Sequence, residues 1–256
     1  MSKIAEAFKN GKAFIGFVTG GDPSLEKSEE FILEMVRGGA DLVEIGIPFS
    51  DPIAEGPVIQ EANIRALSAG ATVDKIFDLV ASVRKKTNVP IVFLTYLNPV
   101  FNYQYTRFFS RCSDLAVDGI IIPDLPFEEK GELADIAAGF GVDVISLIAP
   151  TSEQRIKQIA EDSTGFIYVV SSMGVTGMRS EIKTDLKGIL EVVRASSSSP
   201  TAVGFGINTP QQAEEIAKIT DGVIVGSAIV KIIEKHGENA GPHIYDYVKS
   251  MKAAII

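Results

Sequence analysis

The chain is expected to be an α/β protein, a closed (β/α)8 barrel, on three observations. Eight short stretches are apolar almost without interruption, as strands covered on both faces of a parallel sheet must be. Between consecutive stretches lie segments whose apolar residues recur at helical spacing. No linker, charge block or shift in composition divides the 256 residues, so residues 1–256 are expected to form a single barrel domain.

A short helix opens the chain, in addition to the eight repeats. Ala13 to Thr19 is the first strand and ends in Gly20-Gly21-Asp22-Pro23. Ser24 then has the short acceptor side chain of an N-cap, for a helix with Phe31, Ile32, Met35 and Val36 on its inward face and Gly38-Gly39 at its close. Leu42 to Ile47 is the second strand. Helical spacing follows over Val58 to Leu67 and again over Asp74 to Lys86, with Gly70 between them, so additional short helices are expected beyond one per strand. The remaining strands are Pro90 to Tyr96, Val117 to Pro123, Val142 to Ala149, Gly165 to Ser171, Thr201 to Gly206 and Gly222 to Val225. Intervening sets such as Leu133, Ile136 and Ala137, or Ile156, Ile159 and Ala160, supply helix faces. The serine run Ser196 to Ser199, before Pro200, is a loop.

A formal net charge of −9 argues against a nucleic-acid or anionic-membrane partner. A small anion remains admissible if backbone dipoles hold it. Cys112 is the only cysteine, which excludes an internal disulfide and fits a reducing compartment; nothing near it in sequence marks it as a nucleophile. His236 and His243 have no ligand cluster around them, so no metal site is expected. Charged residues interrupt the start of the chain, and no apolar run reaches the roughly 18 residues of a membrane span. A cytoplasmic location is therefore expected.

In a barrel the chemistry sits at the C-terminal strand ends. Glu44 interrupts the second strand there. Period-2 alternation puts Leu42, Glu44 and Gly46 on one face and Val43, Ile45 and Ile47 on the other, so a doubly covered strand buries the carboxyl. A carboxylate there is either paired or kept for chemistry. Glu55, in the loop that follows, is the second candidate. Tyr168 and Asp124 also lie at strand ends, Asp124 equally readable as a turn or helix cap. Strand seven runs into Gly204-Phe205-Gly206, and strand eight into Gly226-Ser227 at the start of a helix. Glycine turns beside a helix N-terminus let N–H groups approach an anion, so a phosphate is expected here. Ser172 to Ser180, long and glycine-containing, reads as a lid or as a plain connection, and Thr176 within it has a hydroxyl able to bond a carboxylate or phosphate. The loop after strand three, Asn98 to Phe109, carries five aromatic residues, fit for a partner surface or an aromatic ligand.

Five segments carry a resemblance: Val43-Glu44-Ile45-Gly46-Ile47-Pro48-Phe49-Ser50-Asp51-Pro52, Asn98-Pro99-Val100-Phe101, Pro123-Asp124-Leu125-Pro126, Gly174-Val175-Thr176-Gly177 and Gly204-Phe205-Gly206-Ile207. In order and spacing, over essentially the whole length, they resemble the tryptophan synthase α chain family. The resemblance implies a carbon–carbon lyase of tryptophan biosynthesis that cleaves indole-3-glycerol phosphate to indole and glyceraldehyde 3-phosphate. The family pairs with a β chain in an αββα assembly. That β chain holds pyridoxal phosphate and receives the indole through a tunnel; the α chain needs no cofactor of its own.

Carried over by position, Glu44 is the general acid/base and Glu55 the second carboxylate. Gly177, Gly206, Gly226 and Ser227 hold phosphate. Phe17, Leu94, Tyr96, Ile121, Tyr168 and Phe205 form the indole pocket, Thr176 closes from the lid, and Pro48, Asp51, Asn98 and Phe101 face the partner. At position 55 the family pattern usually has Asp, whereas this chain has Glu55. One extra methylene displaces a carboxylate by about an ångström, enough to cost on the order of a hundredfold in rate. A regulatory subunit that binds the ligand and activates the β chain without cleaving it is therefore the alternative. A phosphosugar isomerase or epimerase barrel is a third reading.

Overall fold

The computed structural model of the chain describes residues 2–171, 185–204 and 206–256. Among the described residues the strands are β1 (Ala13–Thr19), β2 (Leu42–Gly46), β3 (Ile91–Leu94), β4 (Gly119–Ile121), β5 (Asp143–Val144), β6 (Ser146–Ile148), β7 (Ile167–Val170), β8 (Thr201–Gly204) and β9 (Gly222–Val225). All pair in parallel, in the order β5-β4-β3-β2-β1-β9-β8-β7-β6. The stretch expected to be one strand over Val142 to Ala149 is split at Ile145: β5 pairs with β4, and β6 pairs with β7. The Ile145 N–H donates to the Ile120 carbonyl at 2.9 Å and continues the first ladder. One strand thus hands its bonding from one neighbour to the other, and the sheet closes through it as an eight-fold barrel.

Around the barrel lie α1 (Leu25–Gly38), α2 (Pro57–Ser68), α3 (Val73–Arg84), α4 (Leu97–Tyr103), α5 (Tyr105–Asp114), α6 (Gly131–Gly139), α7 (Glu153–Glu161), α8 (Leu186–Ser196), α9 (Pro210–Ala217), α10 (Ser227–His236) and α11 (Gly241–Ala253). Helix α1 starts and stops where its sequence says it should. Ser24 accepts a hydrogen bond from the Lys27 N–H, and Gly39, at φ 107°, takes the left-handed C-cap conformation that costs a glycine nothing. The aromatic segment is two helices rather than a loop, broken at Gln104 with φ 72°. Phe108 and Phe109 are buried, with Phe108 packed against Phe77 and Phe93, while Phe101 is 62% exposed.

Strand alternation sorts the core into two layers. Phe14, Val43, Ile45, Phe93, Ile120, Ile167, Val169 and Val203 point outward into the helix layer. Ile15, Leu42, Val92, Ile121, Ile145, Phe166, Tyr168 and Ile224 point inward and fill the barrel. The opening residues Ile4–Phe8 form a short 3-10 helix, and fully buried Ile4 joins the inner layer as a plug at the N-terminal end.

Asp118 ties that end together. Its carboxylate accepts the Lys3 N–H at 2.7 Å and the Ile91 N–H at 2.9 Å, and it meets the Arg84 guanidinium at 3.3 Å. Without it the Lys3 and Ile91 N–H groups would lose their acceptor and Arg84 its counter-charge, although Arg84 keeps its bonds to the Leu115, Val89 and Ala116 carbonyls. Asp118→Ala should therefore lower unfolding free energy by about 2–4 kcal/mol. Urea titration followed by circular dichroism checks this, and a midpoint equal to wild type would exclude the tie.

Candidate active site

Glu44 sits on β2 between Phe17 of β1 and Val92 of β3 in the register, with its side chain on the inner face and 1% exposed. Its Oε1 has no hydrogen-bond partner among the described residues. Burial in this apolar layer pushes the carboxyl up to about 8, so it is protonated at neutral pH. The neighbouring Tyr168 on β7 is itself pushed well up, first by burial and then by the charge of Glu44 when ionised. Tyr168 fits the barrel because residue 204 is glycine: a Cβ there would stand 2.6 Å from the Tyr168 Cζ.

Above this layer, Phe17 and Leu94 pack with Val58, Ile59, Ala62 and Val230, which come from α2 and α10. Leu94 also touches the inner layer that contains Ile121 and Tyr168. Of the residues expected to form the aromatic pocket, the structure thus joins Phe17, Leu94, Ile121 and Tyr168 into one apolar wall. Ile59 and Val230 belong to the wall but carry only the helical periodicity of any core residue, so no sequence signal singled them out. Thr19, at the inner end of β1, is also buried with its Oγ1 unpartnered among the described residues.

Tyr96, expected at the indole pocket, meets the Glu55 loop. It is 2% exposed, and its hydroxyl donates to Glu55 Oε2 while accepting the Ala54 N–H at 2.8 Å. Glu55, expected in an open loop, is 5% exposed. Its carboxyl is raised overall: burial pushes it up, the Tyr96 bond offsets part of that, and the nearby Asp124 adds to the rise. Asp124 is a cap after all, but for α4: its Oδ1 accepts the Leu97 N–H at 2.9 Å. Behind the loop, the Arg65 guanidinium of α2 holds Asp22 by two bonds of 2.8 Å, which fixes the turn after β1 to the helix that follows Glu55.

The glycine turns lie at the ends of the paired strands β8 and β9. Gly206 has φ 90°, open to glycine and strained for other residues. Gly226 is the N-cap and Ser227 the first residue of α10, whose leading N–H groups and dipole favour an anion. Thr176, Gly177 and Phe205 lie outside the described residues. Asp51, Asn98 and Phe101 are exposed, joined by Ile53 at 72%, while Pro48 is buried beneath them. Cys112 is buried and its thiol pushed up by burial, which makes it a packing residue. His236 and His243 stack on each other with ring centroids 3.7 Å apart, and no cluster of three metal-ligating side chains occurs among the described residues. No described helix is long and apolar enough to cross a membrane.

Residues 4–255 match the family model described as tryptophan synthase alpha chain. The tryptophan synthase alpha chain of Lacticaseibacillus casei is 50% identical over 255 residues, covering 100% of this chain and 96% of its own length. That of Lactiplantibacillus plantarum is 48% identical over 256 residues, covering 100% and 97%. Among solved structures, the alpha subunit of Legionella pneumophila superposes with a TM-score of 0.90 at 33% identity, covering 100% of this chain and 98% of the other. A chain from the mutually activated tryptophan synthase α2β2 complex of Pyrococcus furiosus gives a TM-score of 0.88 at 34% identity, covering 95% and 99%. Matched over its whole barrel in both sequence and shape, the chain belongs to the tryptophan synthase alpha chain family.

Proposed function

We propose that this chain cleaves indole-3-glycerol phosphate to indole and glyceraldehyde 3-phosphate by a retro-aldol step, as the lyase subunit of a cytoplasmic α2β2 tryptophan synthase. The observation that carries the reading is Glu44, a buried carboxyl without a partner at Oε1 among the described residues, beside the apolar wall of Phe17 and Leu94. Held up to about 8, it enters the reaction as an acid. It donates its proton to the indole carbon that bears the glycerol chain, and the resulting positive charge at the ring nitrogen is stabilised by the Glu55 carboxylate. Glu44, now ionised, takes the proton of the hydroxyl on the adjacent carbon as the carbon–carbon bond breaks and its electrons return to the ring. Indole and the aldehyde leave, and Glu44 is again protonated, so the cycle balances without a cofactor in this chain.

In the same reading the phosphate is held by the turn at Gly206, by Gly226 and Ser227 at the start of α10, and by Gly177. Thr176 closes over the substrate. The exposed residues Ile53, Asp51, Asn98 and Phe101, with buried Pro48, dock a β chain that would hold pyridoxal phosphate and take up the indole. The assembly of the Pyrococcus furiosus relative supports this pairing. The regulatory alternative draws on one observation, Glu55 standing where the family pattern usually has Asp. Cleavage by the purified chain with its β chain, measured beside Glu55→Asp, separates the two: a silent wild type revived by Glu55→Asp would establish the regulator.

Glu44→Gln should lower indole release by about 10²–10⁴-fold while leaving binding of a phosphate-bearing substrate analogue within a few-fold of wild type. Activity comparable to wild type would remove Glu44 from the mechanism. The protonated form starts the reaction, so kcat/KM should fall as pH rises through about 8. Folding stability has the same origin. The unfolded carboxyl ionises near 4.5 and the folded one near 8, so the contribution of Glu44 is fully present below about 4.5 and is lost as pH rises towards 8. Glu44→Gln escapes that loss, and its melting temperature should overtake wild type increasingly between these limits. A constant difference in melting temperature across that range would contradict the shift.

A further inference from the structure

We propose that Tyr96 is the positioning residue of Glu55, clamping the tip of its side chain so that the carboxylate meets the site from one fixed place. The inference rests on the reading of Glu55 as the second carboxylate. A glutamate carries three side-chain torsions, and a free one in a loop spreads its carboxylate over several positions. Glu55 is held at both ends. Its carbonyl accepts the Gln60 Nε2–H at 2.8 Å from the first turns of α2, and its carboxylate accepts the Tyr96 O–H.

The clamp itself is rigid. Tyr96 directly precedes α4, is 2% exposed, and packs against the Phe49 ring with centroids 5.4 Å apart. Its oxygen accepts the Ala54 N–H at 2.8 Å, which turns its single proton away from the loop backbone and towards Glu55. One phenol therefore grips two successive residues of the loop, Ala54 by the main chain and Glu55 by the side chain. A hydrogen bond donated to a carboxylate also favours the ionised form, and here it opposes burial and the nearby Asp124 carboxylate, which together still leave Glu55 raised. An anion is what a developing positive charge on a substrate nitrogen requires. An aspartate at 55 would be one methylene shorter and would not span to the same phenol from the same backbone.

The test combines a titration with a mutant cycle. In the full chain carrying 13C-carboxyl glutamate, the Glu55 resonance is identified by its loss in Glu55→Gln, and its midpoint is read in wild type and in Tyr96→Phe. The expected result is an upward move of at least half a pH unit in Tyr96→Phe; an unchanged midpoint overturns the clamp. In steady-state cleavage with the β chain present, Tyr96→Phe should lower kcat about tenfold to a hundredfold with KM changed less than about threefold. On a Glu55→Asp background, where the tether is already lost, the same substitution should cost less than about threefold. Equal losses on both backgrounds, or no loss in wild type, would overturn it. If the midpoint moves as expected but wild type releases no indole, the clamp stands and the cleavage reading falls.

Discussion

The burial of one carboxyl inside an apolar barrel is the constraint on which the remaining structure turns. Removing an ionised carboxylate from water without a partner costs several kcal/mol, and Glu44 avoids that cost by staying protonated. The inner layer makes this possible. Leu42, Val92, Tyr168 and Ile224 exclude water around the strand ends, and glycine at 204 makes room for the Tyr168 ring. A protonated carboxyl can donate where an ionised one can only accept. The raised carboxyl of Glu44 thus comes from the packing of the sheet rather than from a charged neighbour.

Glu55 is buried almost as well, and burial raises its carboxyl too; but it receives a hydrogen bond that opposes the rise, whereas Glu44 Oε1 receives none from the described residues. The rim that holds them is cross-tied by polar groups. Arg65 fastens the turn after β1 to α2, Tyr96 fastens the Glu55 loop to the end of β3, and Asp124 fastens the end of β4 to α4. Each tie joins neighbouring barrel segments through one buried or half-buried side chain, so the rim keeps its geometry although its backbone lies largely outside regular ladders.

Most of the fold was legible along the chain. Strand eight, Gly222 to Val225, has the expected bounds, and the other strands lie within the expected stretches. Ser24 and Gly39 cap α1 because short acceptors and left-handed glycines act on residues within one turn. The inward direction of Glu44 followed from alternation alone. The expected opening helix is present as a short 3-10 helix, with Ile4 in the barrel end and Lys3 bonded to Asp118. One local expectation was changed by contacts from elsewhere. The aromatic loop became α4 and α5 because Phe108 and Phe109 are needed in the layer outside the barrel.

By itself, then, the sequence determined the eight-fold order of the strands, the start and stop of α1, and which residues of β2 point inward. These depend on periods of two to four residues, which a linear pattern records. The tertiary structure alone decided that Tyr96 grips Glu55 across 41 positions, that Asp124 caps a helix 27 residues earlier, and that Arg65 holds Asp22 across 43. It also decided that Ile59 and Val230 join Phe17 in one wall and that one strand divides its bonding between two neighbours. Such pairings have no local signature, because a hydroxyl or carboxylate acquires its partner only when barrel closure brings distant strand ends within hydrogen-bond reach.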